Sequence, residues 1–407
     1  MILVKLKIMN IRKIYTFTLA SLLLAFFTPA TARAVFGLDS VREQAGKKVL
    51  DTLLLDLSGL KYKPVPPEVV EGIDVLCAQA KNVNTNLSSA LLENLVGFVL
   101  TNATKNQAWT LPEKNDVAGA MCLGILTNTF EERRILSSPL LHDHAFYDTL
   151  RLSEVIAGDG QKIYEEMFSA PEGFLTRDYT LNYDCVAPDK TSGAYYCYTN
   201  VRLYVQGKVL GKRTLMTGSI MTGTSDIGCK GAEINPQIRG LYFYSEEPGL
   251  NIAGAGWMET RMEHYSSFTL SIEISSNVFA FANFSWLSAG WHEINVLRSH
   301  HIYAVLVDLL ADLREFGKGN GLDLEDVKKV VAETDALDEK TINEQYKKYC
   351  DYCREYAKGG IIGMKSPLQR VFNEKALTEM PLKFRRALLL QEKIRNLQGQ
   401  KSWSAQK

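Results

Sequence analysis

His142-Asp-His144, with Asp148 four residues on, is the densest set of metal-capable side chains in the chain. On an extended segment the imidazoles of His142 and His144 project to one face. A carboxylate then adds a third ligand, which is the open donor set of a hydrolytic Zn²⁺. The same residues follow Pro139 and fit a solvated connection between helices equally well. His264 beside Glu263 and His292 beside Glu293 offer acid–base pairs, although neighbours on a strand point to opposite faces. His300-His301 opens a helix, with one ring toward the protein and the other toward solvent, so a shared metal is not expected.

Seven cysteines follow residue 34: Cys77, Cys122, Cys185, Cys197, Cys229, Cys350 and Cys353. If Asp189–Gly193 is a loop, the flanking residues close a hairpin and Cys185 falls opposite Cys197, within disulfide reach. Cys77 and Cys122 either pair or are packed thiols. Cys350-Asp-Tyr-Cys353 has redox spacing but sits late in a charged helical segment, without the preceding strand a thioredoxin-type site needs. Ser219 and Ser225 miss the Gly-x-Ser-x-Gly elbow, Gly317–Asp326 misses the calcium spacing, and Ala253-Gly-Ala-Gly256 lacks a third glycine. These motifs require no cofactor. The catalytic reading, an exported metal-dependent hydrolase, therefore rests on His142 and His144.

The elements that must position such groups fall into three stretches. Residues 35–170 read as a helical domain, with helices over Glu68–Ala80, Leu87–Leu100, Asp116–Phe130 and Ser153–Ser169. The third of these is apolar nearly all round, which suits the centre of a bundle. Residues 171–320 change to a period of two, rich in aromatic and β-branched side chains. Six or seven strands with one wet face are expected, with a turn at Gln206-Gly-Lys. The stripe Ile302, Val305, Leu306, Leu309, Leu310, Leu313 then makes a helix that covers the sheet. Residues 321–407 form a charged helical region. The fold class is α+β, with an N-terminal helical bundle, a central antiparallel meander and C-terminal helices, the first packed on the sheet.

A helix across an antiparallel sheet is an arrangement that grips hydrophobic ligands, and it can leave an apolar cavity. Tyr196, Tyr198, Tyr204, Tyr242, Tyr244, Trp257, Phe281 and Trp286 would supply the ligand-binding wall, or else simply fill the core. The favoured function is a non-catalytic protein binding a hydrophobic small molecule or lipid, or an envelope partner, through this sheet and helix.

The first thirty-four residues address the chain. Lys5, Lys7, Arg12 and Lys13 precede an apolar run from Ile14 to Phe27, and Ala32-Arg-Ala34 has the small-x-small form of a signal-peptidase site. Residues 1–34 thus read as a signal peptide, and the protein as exported to the periplasm or secreted. Removing them takes five basic residues from the 46 of each sign, leaving 41 against 46, a balance that disfavours nucleic acid. Residues 366–407 carry nine basic and three acidic side chains, whereas 321–345 carry three basic and eight acidic. The basic helix either lies on an anionic membrane or acidic partner, or packs on its own domain, which is the favoured reading.

Overall fold

A computed structural model describes residues 61–81, 89–105, 107–137, 150–169, 176–186, 196–227, 233–235, 240–242, 250–252, 256–258, 260–291, 294–295, 297–359 and 380–399, some of them by backbone alone. All belong to one unit, Leu53–Lys407. Its frame is an eleven-stranded sheet. The strands are β1 (Tyr62–Pro64), β2 (Ala108–Lys114), β3 (Val117–Thr127), β4 (Leu150–Ala157), β5 (Thr176–Val186), β6 (Tyr196–Val209), β7 (Lys212–Thr222), β8 (Ser225–Ile227), β13 (Thr260–Ser275), β14 (Val278–Trp291) and β15 (Ile294–Asn295). Their order is β1-β2-β3-β14-β13-β7-β6-β5-β4, with β15 paired to β14 and β8 to β13. β1 runs parallel to β2 and the other pairs are antiparallel. Two ribbons stand apart, β9 (Glu233–Asn235) with β10 (Gly240–Tyr242) and β11 (Leu250–Ile252) with β12 (Gly256–Met258). The α+β class of the sequence reading is the observed one.

Local backbone chemistry sets the hairpins. Two-residue turns that match the right-handed strand twist need positive φ at both central residues. Asn115 (φ 52°) and Asp116 (φ 64°) supply them between β2 and β3, and Leu210 (φ 51°) and Gly211 (φ 71°) between β6 and β7. The latter corrects the turn expected at Gln206-Gly-Lys: β6 runs through Gly207 to Val209, and the chain reverses at Gly211.

Helices cover both faces, so the expectation of one wet face is corrected. On one side, α1 (Pro67–Lys81) and α2 (Ser89–Asn102) bury Val69, Ile73, Leu95 and Val99 against Leu203, Met216, Phe268, Leu270 and Phe284. On the other, α3 (Phe130–Ser137) and α4 (Gly160–Ser169) lie over Tyr204 and Leu215. Helix α5 (Ser299–Phe316) lies on the same side across β2, β3 and β14. Its Ile302, Leu306, Leu310 and Leu313 meet Ala120, Cys122, Leu126 and Phe279. A fully buried leucine contributes roughly 1.5–3 kcal/mol, which outweighs the fraction of a kcal/mol that each valine of α5 costs in helix propensity. At Gly124 an added Cβ would overlap Leu310, so helix and sheet touch there directly.

One expected helix is a strand and another is half strand. Within Asp116–Phe130 the chain forms β3, paired to β2 and β14, and Ser153–Ser169 divides into the end of β4 and α4. A segment that is apolar all round carries no period, and a strand covered on both faces has that composition. Ala118, Gly119, Ala120 and Gly124 are small because Trp286 and α5 press on them from the two sides.

The C-terminal helices are α6 (Leu324–Asp335), α7 (Glu339–Gly359) and α8 (Leu382–Leu397). Asp323 caps α6 as its sequence suggests, accepting from the Glu325 and Asp326 amides. No helix among the described residues is long and apolar enough to cross a membrane.

Candidate functional site

Alternate residues of four neighbouring strands put polar side chains on the α5 side of the sheet: Asn200, Arg202 and Gln206 of β6, Thr217 and Ser219 of β7, Ser271 of β13, and Asn283 and Ser285 of β14. Most of these are buried. The register aligns them in rows. Arg202 pairs with Ser219, Ser219 with Ser267 and Ser267 with Ser285. In the next row Tyr204 pairs with Thr217, Thr217 with Thr269 and Thr269 with Asn283. Bonds run within this layer: Arg202 Nε donates to Asn200 Oδ1 (3.2 Å) and Ser219 Oγ to the same oxygen (2.7 Å). The Thr217 and Thr269 hydroxyls meet at 2.5 Å, and Arg133 Nη2 of α3 donates to Ser271 Oγ at 3.0 Å.

Beside Asn200 the face turns apolar. Met221, Met262 and Ala289 are buried together, and half-buried Tyr198, Tyr265, Leu287 and Leu297 rim them. A register shift between Met262 and His264 lets Met262 and Tyr265, three residues apart, share this face. Asn295 fixes the rim: its Oδ1 accepts from the Ala289 and Leu297 amides while its Nδ2 donates to Asp116 O, holding the segment before α5 over the cluster. Together these side chains make a methionine and aromatic floor, the candidate basin, beside a polar corner at Asn200, Arg202 and Ser219.

The structure distributes the expected wall unevenly. Tyr198 lies in the basin, edge-on to Tyr265 at 5.8 Å between ring centroids. Phe281 and Tyr204 are buried in the core under the helices, with the Arg133 guanidinium 5.7 Å from the Phe281 ring. Trp286 is on the opposite face, where its Nε1 donates to Pro112 O and Lys114 stands over its ring. Tyr196, Tyr242 and Trp257 lie in β6, β10 and β12, their side chains outside the described residues, as is Tyr244 altogether. His142, His144 and Asp148 also lie outside them. Among the described residues no group of three His, Cys, Asp or Glu side chains could hold a metal.

The remaining chemical candidates are placed as follows. Cys185 stands directly opposite Cys197 in the β5–β6 register. Cys77, Cys122 and Cys350 carry thiols. Burial pushes the Cys122 thiol up to about 12, against the pull of Arg314, so it is inert at neutral pH. His264 Nε2 lies 3.2 Å from Ser266 Oγ, and Glu263 is exposed. His301 is buried and His300 exposed, as the helix start suggests. The His301 Nδ1 accepts from the Arg298 amide at 3.1 Å. Burial first, then His300 and Arg298, lowers its pKa to about 3.

The basic helix α8 docks on α6, α7 and β4 of its own chain. Lys383 pairs with Glu154 at 3.2 Å and Lys393 with Glu333 at 4.0 Å. Arg385 donates to Asn343 Oδ1 and lies over the Tyr346 ring, and Arg386 donates to Leu337 O.

The polar corner escaped the sequence reading although its signal was present. Asn200, Arg202, Tyr204 and Gln206 alternate with Val201, Leu203 and Val205, which reads as a solvated strand face. Helices α3, α4 and α5 lie on that side of the sheet, and alternation alone does not report a cover.

No family model matches the sequence, and no curated protein is significantly similar to it. Among solved structures, the human StarD13 (DLC2) lipid transfer and protein localization domain superposes with a TM-score of 0.28 at 10% identity, over 57% of this chain and 98% of that domain. A superposition at this level assigns neither a fold nor a ligand to the chain.

Proposed function

We propose that the chain is a non-catalytic binding protein, exported to the periplasm or cell exterior, that holds a hydrophobic small molecule or lipid against its sheet beside α5. The observation that carries this reading is the sharing of one sheet face by Met221, Met262, Tyr265 and Leu287 with the buried Asn200 and Arg202 and the half-buried Ser219. An apolar floor with a few convergent polar groups is the usual form of a small-molecule site. Thioether side chains, flexible and polarisable, adapt to acyl or ring surfaces. The half-buried rim of Tyr198, Tyr265 and Leu297 supplies a way in.

Mass spectrometry of organic extracts from natively purified protein tests the proposal. A co-purified amphiphile is expected at near-stoichiometric amount. It should disappear from a Met221→Trp variant, whose indole fills the basin, with little change in melting temperature. Extracts empty in both proteins, with no uptake of added lipid, would contradict binding. Export is tested by the N-terminus of protein recovered from outside the cytoplasm. Val35 is expected there, and an intact Met1 would remove that part of the reading.

A further inference from the structure

We infer that the strand ends around Leu210 and Ile274 dock the protein on a bilayer surface rich in anionic lipid. Two hairpin tips stand side by side there, because β7 and β13 are neighbours in the sheet. The first reverses at Leu210-Gly211 and the second at Ser276-Asn277. Lys212 Nζ donates to Ile274 O at 3.1 Å and ties one tip to the other. Leu210 is 50% exposed and Ile274 37%, so each tip holds a large apolar side chain in water. Leu210 also suits its backbone poorly. Its φ of 51° belongs to a turn that asparagine and glycine favour, and a leucine Cβ crowds the following carbonyl there. Strain and exposure both count against stability, which fits a side chain whose partner lies outside the fold.

The charge of this end matches such a surface. Strand register brings Lys61 before β1, Lys105 before β2, Lys208 near the end of β6 and Lys212 at the start of β7 to the same end of the sheet. Lys318 follows α5 close by, since Gly317 packs on Thr127 O at the end of β3. Lys61, Lys105, Lys208 and Lys318 are exposed, and Lys212 is half-buried. Among the described carboxylates here, Glu273 is held by Arg213, and Glu131 opens α3 exposed. The chain as a whole is balanced at 46 charges of each sign, so this surplus is local. Apolar tips that enter the headgroup layer, with lysines around them to meet lipid phosphates, form an interfacial contact. A stable protein interface calls for a wider apolar face than two side chains. Met221 lies nine residues along β7 from Lys212, about 30 Å, so this contact is independent of the basin. The competing account makes Leu210 a clamp on α2, since a Cβ added at Gly97 would lie 3.8 Å from Leu210 Cδ1.

Flotation of the full chain with phosphatidylcholine vesicles, with and without about 30% phosphatidylglycerol, separates the accounts. The protein is expected to float with the anionic vesicles only, and to be released by about 0.5 M salt as screening shortens the reach of its lysines. Leu210→Asn should lower partitioning about fivefold at an unchanged or raised melting temperature, because asparagine suits the turn. Ile274→Ser should lower it similarly. Lys105→Ala combined with Lys208→Ala should weaken binding further to anionic vesicles. Equal flotation of native and Leu210→Asn protein would place any membrane contact on another face and overturn the inference. Equal flotation with neutral and anionic vesicles, or none with either, would overturn it as well. A lower melting temperature in Leu210→Asn with unchanged flotation would make Leu210 the clamp on α2 instead. A native dimer that Leu210→Asn splits, without flotation, would give the tips to a second copy of the chain and likewise overturn docking on lipid. The native comparison of the two vesicle types requires no variant.

Discussion

Single residues show what pairing and burial do to chemistry that composition merely permits. His301 is held neutral because its ring is buried, lies beside His300 and accepts a backbone amide. Its folded pKa of about 3 lies below the ordinary value of 6.5, so as pH falls below 6.5 the unfolded chain takes up a proton the folded one refuses. Stability is therefore complete above that pH and declines toward pH 3, by at most about 1.4 kcal/mol per pH unit from this group. Urea unfolding at pH 7 and pH 5 should show a smaller loss in His301→Gln than in the native chain. An identical loss in both would show that His301 titrates normally. Cys185 and Cys197 are a second case. Their opposition was legible from residue counting across a hairpin, and the β5–β6 register places them so. A disulfide between them is proposed, and non-reducing peptide mapping should recover the linked pair. Two alkylated thiols in exported protein would refute it.

At the scale of elements, what the sequence conveyed depended on whether an element has one buried face or two. Helices α1, α2, α5 and α6 are amphipathic or capped, and their positions follow from apolar spacing, Asp323 and proline. β3 is buried on both faces and carries no period, which is why it resembles a core helix. Its small residues are the recoverable clue, because a bundle centre favours large side chains where β3 keeps Ala118, Gly119, Ala120 and Gly124. Gly124 should therefore be intolerant. Gly124→Val would push Leu310 and Arg314 off the sheet, at a cost of about 1–3 kcal/mol or more. Chemical denaturation measures the loss, and an unchanged midpoint would show that α5 does not rest on β3. The opposite charges of 321–345 and 366–407 also resolve at this scale, since α8 pairs with Glu333 and Glu154 of its own chain.

For the whole molecule, the α+β class and a helix laid across an antiparallel sheet were both readable from period and element order. The extent of the sheet was not, because pairing partners such as β3 and β14 lie far apart in sequence. Nor was the covering of its polar face, since burial of that face depends on where α3, α4 and α5 land. The candidate basin depends on that layering: an apolar cluster and the buried Asn200 and Arg202 lie on a strand face that alternation would leave to water. Methionine methyl groups report on it directly. In a methyl-¹³C methionine NMR titration with oleate, the Met221 and Met262 signals should shift, while Met121, buried on the opposite face, and Met380, near α8, stay in place. Unmoved Met221 and Met262 signals at saturating oleate, or a shift at Met121 instead, would contradict a ligand site in this basin.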